Sequence, residues 1–187
     1  MGDSRPAAGS DQALFLDRDG VINRKRSDHV KSWEEFEFLP GVLEALRDVN
    51  RAGIRVIVVT NQSAVGRGLV QPETLVDIHD RVTAAVAAAG GNIERIYACT
   101  HTPDDGCGCR KPNVGLFTLA SRRQGVRLAG SVMVGDAETD VQAAHRVGCR
   151  PVLIADHPPV SVGGAVLLAK DLAEAVALAK RIWTGAA

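Results

Sequence analysis

Two carboxylates stand two residues apart at Asp17 and Asp19, directly after the apolar run Leu14-Phe15-Leu16. Close carboxylates repel unless a cation or a shared proton relieves them, so an acid pair at the tip of a buried strand points to a bound cation. A second acid, Asp136, ends the run Val132-Met133-Val134-Gly135, and Asp140 follows one helical turn later. Carboxylates converging from two strand ends make a hard-oxygen site suited to Mg²⁺. The cationic and hydroxyl residues then narrow the chemistry. Thr60 ends a β-branched run and Lys111 opens a helix after Cys109 and Arg110. A hydroxyl, an ammonium and helix N-terminal amides together suit a phosphate. Helix caps and a surface ion-pair network are the plainer reading, but caps do not require an acid pair at two strand ends.

Cys99, His101, Cys107 and Cys109 form a second constellation, C-x-H-x5-C-x-C. Three thiolates and one imidazole are the ligand set of a closed tetrahedral zinc site. Gly106 and Gly108 let the loop bend tightly, while the segment has too few apolar residues to make a core of its own. A reactive cysteine is the rival reading, disfavoured because no separate base is spaced beside any one thiol. Cys149, alone between an apparent helix end and an apolar strand, reads as a buried thiol.

These residues need elements to position them. Short β-branched runs alternate with segments of helical period, the pattern of a parallel sheet covered by helices on both faces. The expected strands are 13–16, 55–59, 95–98, 131–134, 151–154 and 165–168; the expected helices are 42–51, 72–89, 114–124, 139–147 and 172–183. The fold class is therefore α/β, a three-layer Rossmann-like sheet, and ligands of such sheets sit beyond the carboxyl ends of the strands. Asp17, Asp19, Thr60, Asn61, Lys111 and Asp136 all fall there.

The chain of 187 residues suits one domain, expected over residues 13–187 behind a disordered arm, 1–12, rich in Gly, Ser, Pro and Ala. With 22 basic and 22 acidic residues the formal charge is zero. That argues against a dedicated nucleic-acid or membrane-surface binder. No apolar run approaches the roughly 20 residues that span a bilayer. A soluble, cytoplasmic monomer acting on a small phosphorylated metabolite is the expectation. Gly66-Arg67-Gly68 lacks the ending of a nucleotide loop, and His79, His145 and His157 read as surface or cap residues.

Asp17-Arg18-Asp19-Gly20-Val21, Thr60-Asn61-Gln62-Ser63, Arg110-Lys111-Pro112 and Gly135-Asp136 through Asp140 resemble, in order, the four motifs of the haloacid dehalogenase superfamily. Asn23, Phe36-Glu37-Phe38, Gly66-Arg67-Gly68 and the cysteine run are similar to the heptose 1,7-bisphosphate phosphatases and the related histidinol-phosphate phosphatase domains. The resemblance implies that Asp17 is the nucleophile, forming an aspartyl-phosphate, and that Asp19 is the general acid and base. It places Mg²⁺ on Asp17, Asp136 and the backbone oxygen of Asp19, with Asp140 supporting from behind. Thr60 and Lys111 would hold the transferred phosphoryl group, and zinc would be structural. Asn61, Gln62, Ser63, Arg110 and His29 are the expected substrate contacts.

The implied activity is hydrolysis of a sugar bisphosphate, D-glycero-D-manno-heptose 1,7-bisphosphate to the 1-phosphate. Histidinol phosphate is the alternative substrate, and a polynucleotide 3′-phosphatase or a non-catalytic zinc module is further off. Residues 20–59 and 61–110 leave no room for a separate cap domain, so specificity should rest on loops 24–31, 63–68 and the zinc loop.

Overall fold

Ala13–Leu16 is buried at every position, on both faces of the chain, because it is a central strand of a parallel sheet. In the computed structural model, which describes residues 11–157 and 163–185, six strands follow in sequence: β1 (Ala13–Leu16), β2 (Arg55–Asn61), β3 (Arg95–Cys99), β4 (Val132–Gly135), β5 (Arg150–Ile154) and β6 (Leu167–Ala169). Their spatial order is β3-β2-β1-β4-β5-β6, and every pairing is parallel. The order reverses beside β1, so its carboxyl end is the switch point where such sheets open a crevice. Residues 1–10 of the expected arm lie outside the described residues. Asp11, by contrast, is ion-paired to Arg127 at 2.8 Å just ahead of β1.

Side-chain alternation along the strands sends residues to two layers. Leu14 and Leu16, with Val56, Val58, Val132 and Val134, pack against α1 (Val42–Arg51), α3 (Pro72–Ala88) and α6 (Leu172–Thr184). Ala13 and Phe15, with Ile57, Val59 and Met133, pack against α4 (Gly115–Gln124) and α5 (Glu138–Val147). Phe15 meets Phe117 with ring centroids 5.2 Å apart. Helix α6 docks through Leu172, Val176 and Ala179, as its spacing implies, and Trp183 adds an indole N–H bond of 2.8 Å to the Gly130 carbonyl.

Most element bounds fall within one residue of the sequence reading; the larger differences lie at β2, after it, and at β6. Strand β2 runs on to Asn61 because Thr60 and Asn61 pair with Ala98 and Cys99. A one-turn helix, α2 (Ser63–Gly66), follows it and docks on the next loop through a 2.9 Å bond from the Gly66 N–H to the Thr100 carbonyl. Strand β6 starts at Leu167, where its pairing with β5 begins. Between β1 and α1 the described chain holds one 3₁₀ turn, Trp33–Glu35, and an aromatic cluster of Trp33, Phe36 and Phe38. No inserted cap domain occurs among the described residues.

Candidate active site

The Asp17 N–H still bonds the Val134 carbonyl at 2.9 Å, so strand alternation persists one step past β1. Asp17 therefore turns with Ala13 and Phe15 toward the α4/α5 layer, where Lys111 and Asp140 wait. Lys111 is buried, and its ammonium donates to the Val59 carbonyl at 2.7 Å and lies 3.1 Å from Asp17 Oδ1 and 2.6 Å from Asp140 Oδ1. Burial alone would lower the Lys111 pKa. Asp140 and Asp17 outweigh it and hold the ammonium above its ordinary range. Burial pushes Asp17 up, with Lys111 opposing and Asp140 and Asp19 adding to the rise.

Asp136 leaves β4 and leans over Gly20, where an added Cβ would lie 2.2 Å from Asp136 Oδ2; the φ of +84° there also favours glycine. Gly135 is required for the same kind of reason, since a Cβ would meet Asp140 at 2.3 Å. Asp136 Oδ2 is paired at 2.7 Å with Lys25, a residue of the loop after β1 that the sequence reading passed over. Burial pushes Asp136 up and Lys25 opposes it. Ligand atoms of Asp17, Asp136 and Asp140 lie within 4.8 Å of one another. Three close, partly desolvated carboxylates need cationic charge to stay ionised, and all-oxygen donors fit Mg²⁺. The residues present therefore fit the ion.

Asp19 is clamped. Arg18 Nη2 bonds both of its oxygens, at 2.9 and 3.0 Å, Asn23 Nδ2 adds 2.8 Å and Gln62 Nε2 adds 2.7 Å. Burial pushes the Asp19 carboxyl up, but Arg18, Asn23 and Gln62 outweigh it and hold the group below the ordinary range. Gln62 also reaches Thr60 Oγ1 at 3.0 Å.

The expected substrate contacts are placed differently from one another. Asn61 forms a reciprocal pair with the Lys111 backbone, accepting at 3.0 Å and donating at 3.1 Å, so its amide fixes Lys111. Gln62 serves Asp19 and Thr60, and Ser63 is buried at the start of α2. His29 is half-buried with φ +66°, and no hydrogen bond joins its ring to the carboxylates among the described residues. Arg110, by contrast, lines a rim cavity of about 380 Å³ with Asn61, Cys107, Lys111, Asn113 and Thr139. Its Nη1 bonds the His101 carbonyl at 3.4 Å, tying it to the cysteine loop.

His79, read as a surface or cap residue, instead lies half-buried against Arg18, with Nε2 3.2 Å from Nη1. The correction has a local signal. Leu75, Ile78, Val82 and Val86 form the buried stripe of α3, and His79 sits at its edge, one turn after Leu75. Arg18 turns to the α3 layer by the alternation that sends Asp17 the other way.

In the cysteine loop, Cys99 Sγ lies 3.2 Å from Cys109 Sγ and 3.6 Å from Cys107 Sγ, and His101 Nδ1 is 3.6 and 3.3 Å from Cys99 and Cys109. A tetrahedral site with metal–sulfur bonds of about 2.3 Å has edges of about 3.75 Å, close to these separations. The four side chains can hold a zinc ion. A capping box between Thr102 and Asp105 shapes the loop's turn, and Asn113 Nδ2 bonds the Cys107 carbonyl at 2.7 Å.

A parallel sheet that gathers a carboxylate nucleophile candidate, a magnesium-fitting acid cluster and a buried lysine at its switch point defines a phosphohydrolase of the metal-assisted class. A family profile described as HAD-hydrolase-like matches residues 108–157, the stretch that holds Lys111, Asp136 and Asp140. The D-glycero-beta-D-manno-heptose-1,7-bisphosphate 7-phosphatase of Bordetella bronchiseptica is 45% identical over 141 residues, covering 75% of this chain and 79% of that protein. The D-glycero-alpha-D-manno-heptose-1,7-bisphosphate 7-phosphatase of Mycobacterium tuberculosis is 38% identical over 160 residues, 84% and 83% of the two chains. The crystal structure of D,D-heptose 1,7-bisphosphate phosphatase from B. bronchiseptica, complexed with magnesium and phosphate, matches with a TM-score of 0.82 and 37% identity. That match covers 93% of this chain and 99% of that one. The chain belongs to the haloacid dehalogenase-like hydrolases, in the branch of the heptose-bisphosphate phosphatases.

Proposed function

We propose that this chain removes the 7-phosphate of D-glycero-D-manno-heptose 1,7-bisphosphate, leaving the 1-phosphate, with Asp17 as nucleophile. The observation that carries the reading is the single point at the tip of β1 where Asp17, Lys111, Asp136 and Asp140 meet. Identity to relatives named for that reaction supports the substrate.

Asp17 attacks phosphorus in line and takes the phosphoryl group, so that one hard displacement becomes two easier ones. Asp17, Asp136 and the Asp19 backbone oxygen would hold Mg²⁺, which would supply charge neutralisation for the approaching anions. Asp140 holds Lys111 and so stands behind the nucleophile. Lys111 and Thr60 bind the oxygens of the transferred group. Asp19 gives a proton to the departing sugar oxygen, then takes one from the water that frees Asp17. Clamped as a carboxylate it is ready for the second step, and a dianionic substrate beside it favours its protonation for the first. The second phosphate of the substrate lies in the rim cavity against Arg110, whose planar fork suits a phosphate. Residues 13–187 work as one catalytic unit, and the zinc loop sets where Arg110 stands.

Phosphate release measured on both anomers of heptose 1,7-bisphosphate, on histidinol phosphate and on a small monophosphate tests the assignment. A bisphosphate should give the highest kcat/KM. Faster turnover of histidinol phosphate would overturn the substrate.

A further inference from the structure

We infer that Arg18 and His79 act as a positioning relay for Asp19, so that an imidazole on α3 sets where the general acid and base points. The inference rests on the reading of Asp19 as that group. Arg18 has no exposed surface, although a desolvated guanidinium is costly to bury. Its Nη2 chelates both Asp19 oxygens and its Nη1 meets His79 Nε2 at 3.2 Å. Its Nε is buried with no hydrogen-bond partner. One face of the group lies 6.0 Å from the Phe36 ring centroid, and Phe36 is itself stacked on Trp33 at 5.3 Å. An arginine held only by its carboxylate could rotate and carry that carboxylate with it. Here the aromatic wall blocks one motion, and the bond to His79 blocks rotation of the fork.

The imidazole is suited to this task. Burial, and then the Arg18 charge, bring His79 down to about 4, so at neutral pH it is uncharged and offers a lone pair to Nη1. Neither side chain is among the groups proposed to touch the phosphate or the metal, and Arg18 turns away from Asp17 into the α3 layer. What the pair controls is placement. A general acid or base works only within hydrogen-bond reach of its proton, about 2.6–3.2 Å, and a misplacement of about 1 Å can cost on the order of 100-fold.

The experiment compares His79→Leu, His79→Gln, Arg18→Lys and Asp19→Asn in the full-length, zinc-loaded protein, with a heptose bisphosphate as substrate. His79→Leu should lower kcat about tenfold or more with KM and calorimetric Mg²⁺ affinity unchanged. His79→Gln, whose amide oxygen accepts the same N–H, should recover most of that loss. The double variant His79→Leu/Asp19→Asn should be no slower than Asp19→Asn, since without the carboxylate the relay has nothing to place. Should His79→Leu fail to fold, Arg18→Lys carries the test, because it keeps the charge and loses the fork; its kcat should fall in the same way. Multiplicative losses in the double variant, full kcat in a folded His79→Leu or Arg18→Lys, or a loss confined to KM would each overturn the relay. Asp19→Asn turning over at the wild-type rate would remove the acid–base reading itself, a different outcome from any of these.

Discussion

At the strand tips, Asp17, Asp136 and Asp140 are carried by backbone that has its own reasons to be ordered: β1 and β4 are fully buried, and Asp140 sits in the first turn of α5, accepting the Ala137 N–H at 3.1 Å. In the cysteine loop only Cys99 belongs to a strand, while His101, Cys107 and Cys109 ride on turns whose shape depends on a capping box and one asparagine. Both regions can hold a metal, but the first is carried by buried strands and a helix, whereas in the second Cys107 and Cys109 only pack against the core from outside any regular element. Losing its cation should therefore cost the first site chemistry, and should cost the second its structure.

The sharpest test of that contrast is Asp17→Asn. Turnover should fall by three or more orders of magnitude, about 4 kcal/mol, with the melting temperature and zinc content at wild-type values. A rate above roughly a hundredth of wild type would sink the nucleophile. Brief EDTA treatment should likewise stop turnover, Mg²⁺ should restore it, and elemental analysis should still find one zinc per chain.

Cys107→Ser reverses the pattern. Stability should fall by about 3 kcal/mol, the scale for loss of a structural metal, which lowers the melting temperature of a chain this size by roughly 6–12 °C. Calorimetry would show whether the loop unravels before the active site does, and an unchanged melt would refute the staple. Arg110→Ala probes the seam between the regions. It should reduce kcat/KM on the bisphosphate by about 1.5–3 kcal/mol, the scale for hydrogen bonds to charged groups, and do little to a small monophosphate. Equal losses on both would assign Arg110 to the transferred phosphate.

Two smaller effects concern residues that bind neither metal. His79 is held down to about 4, below its ordinary value of 6.5, so the unfolded chain binds the extra proton first as pH falls. Its contribution to stability is complete above about pH 6.5 and is lost as pH drops toward 4. Melting curves of His79→Gln should decline less across that window than those of wild type; parallel declines would contradict the burial argument. Lys25→Met should tighten Mg²⁺ binding a few-fold by calorimetry, since the ammonium 2.7 Å from Asp136 opposes a second cation there. Weaker binding would show that Lys25 helps build the site.

Much of this was legible from residue order. Strands buried on both faces read as continuous apolar runs and helices buried on one face as a helical-period stripe, which is why β1 and α1 have the bounds their patterns imply. The acids stood out because close carboxylates at strand ends are unfavourable without a cation, and the cysteine loop because its ligands are neighbours in the chain. Asn61 shows where residue order stops: its type and place suit a ligand contact at the rim cavity it lines, but that its amide also clasps the Lys111 backbone, fifty positions away, follows only from the pairing that extends β2.

By itself, then, the amino-acid order determined the elements, the parity that sends Asp17 and Arg18 to opposite layers, and the ligand set of the cysteine loop, since all of these depend on neighbours a few residues apart, and it marked the acids as carboxylates at strand ends. Only the assembled sheet decided that His79 stands behind Arg18, that Lys25 reaches Asp136 and that Asn61 clasps Lys111. Those contacts join segments whose separation in space is set by strand order and helix packing, and no local pattern encodes which distant partner will satisfy a buried charge.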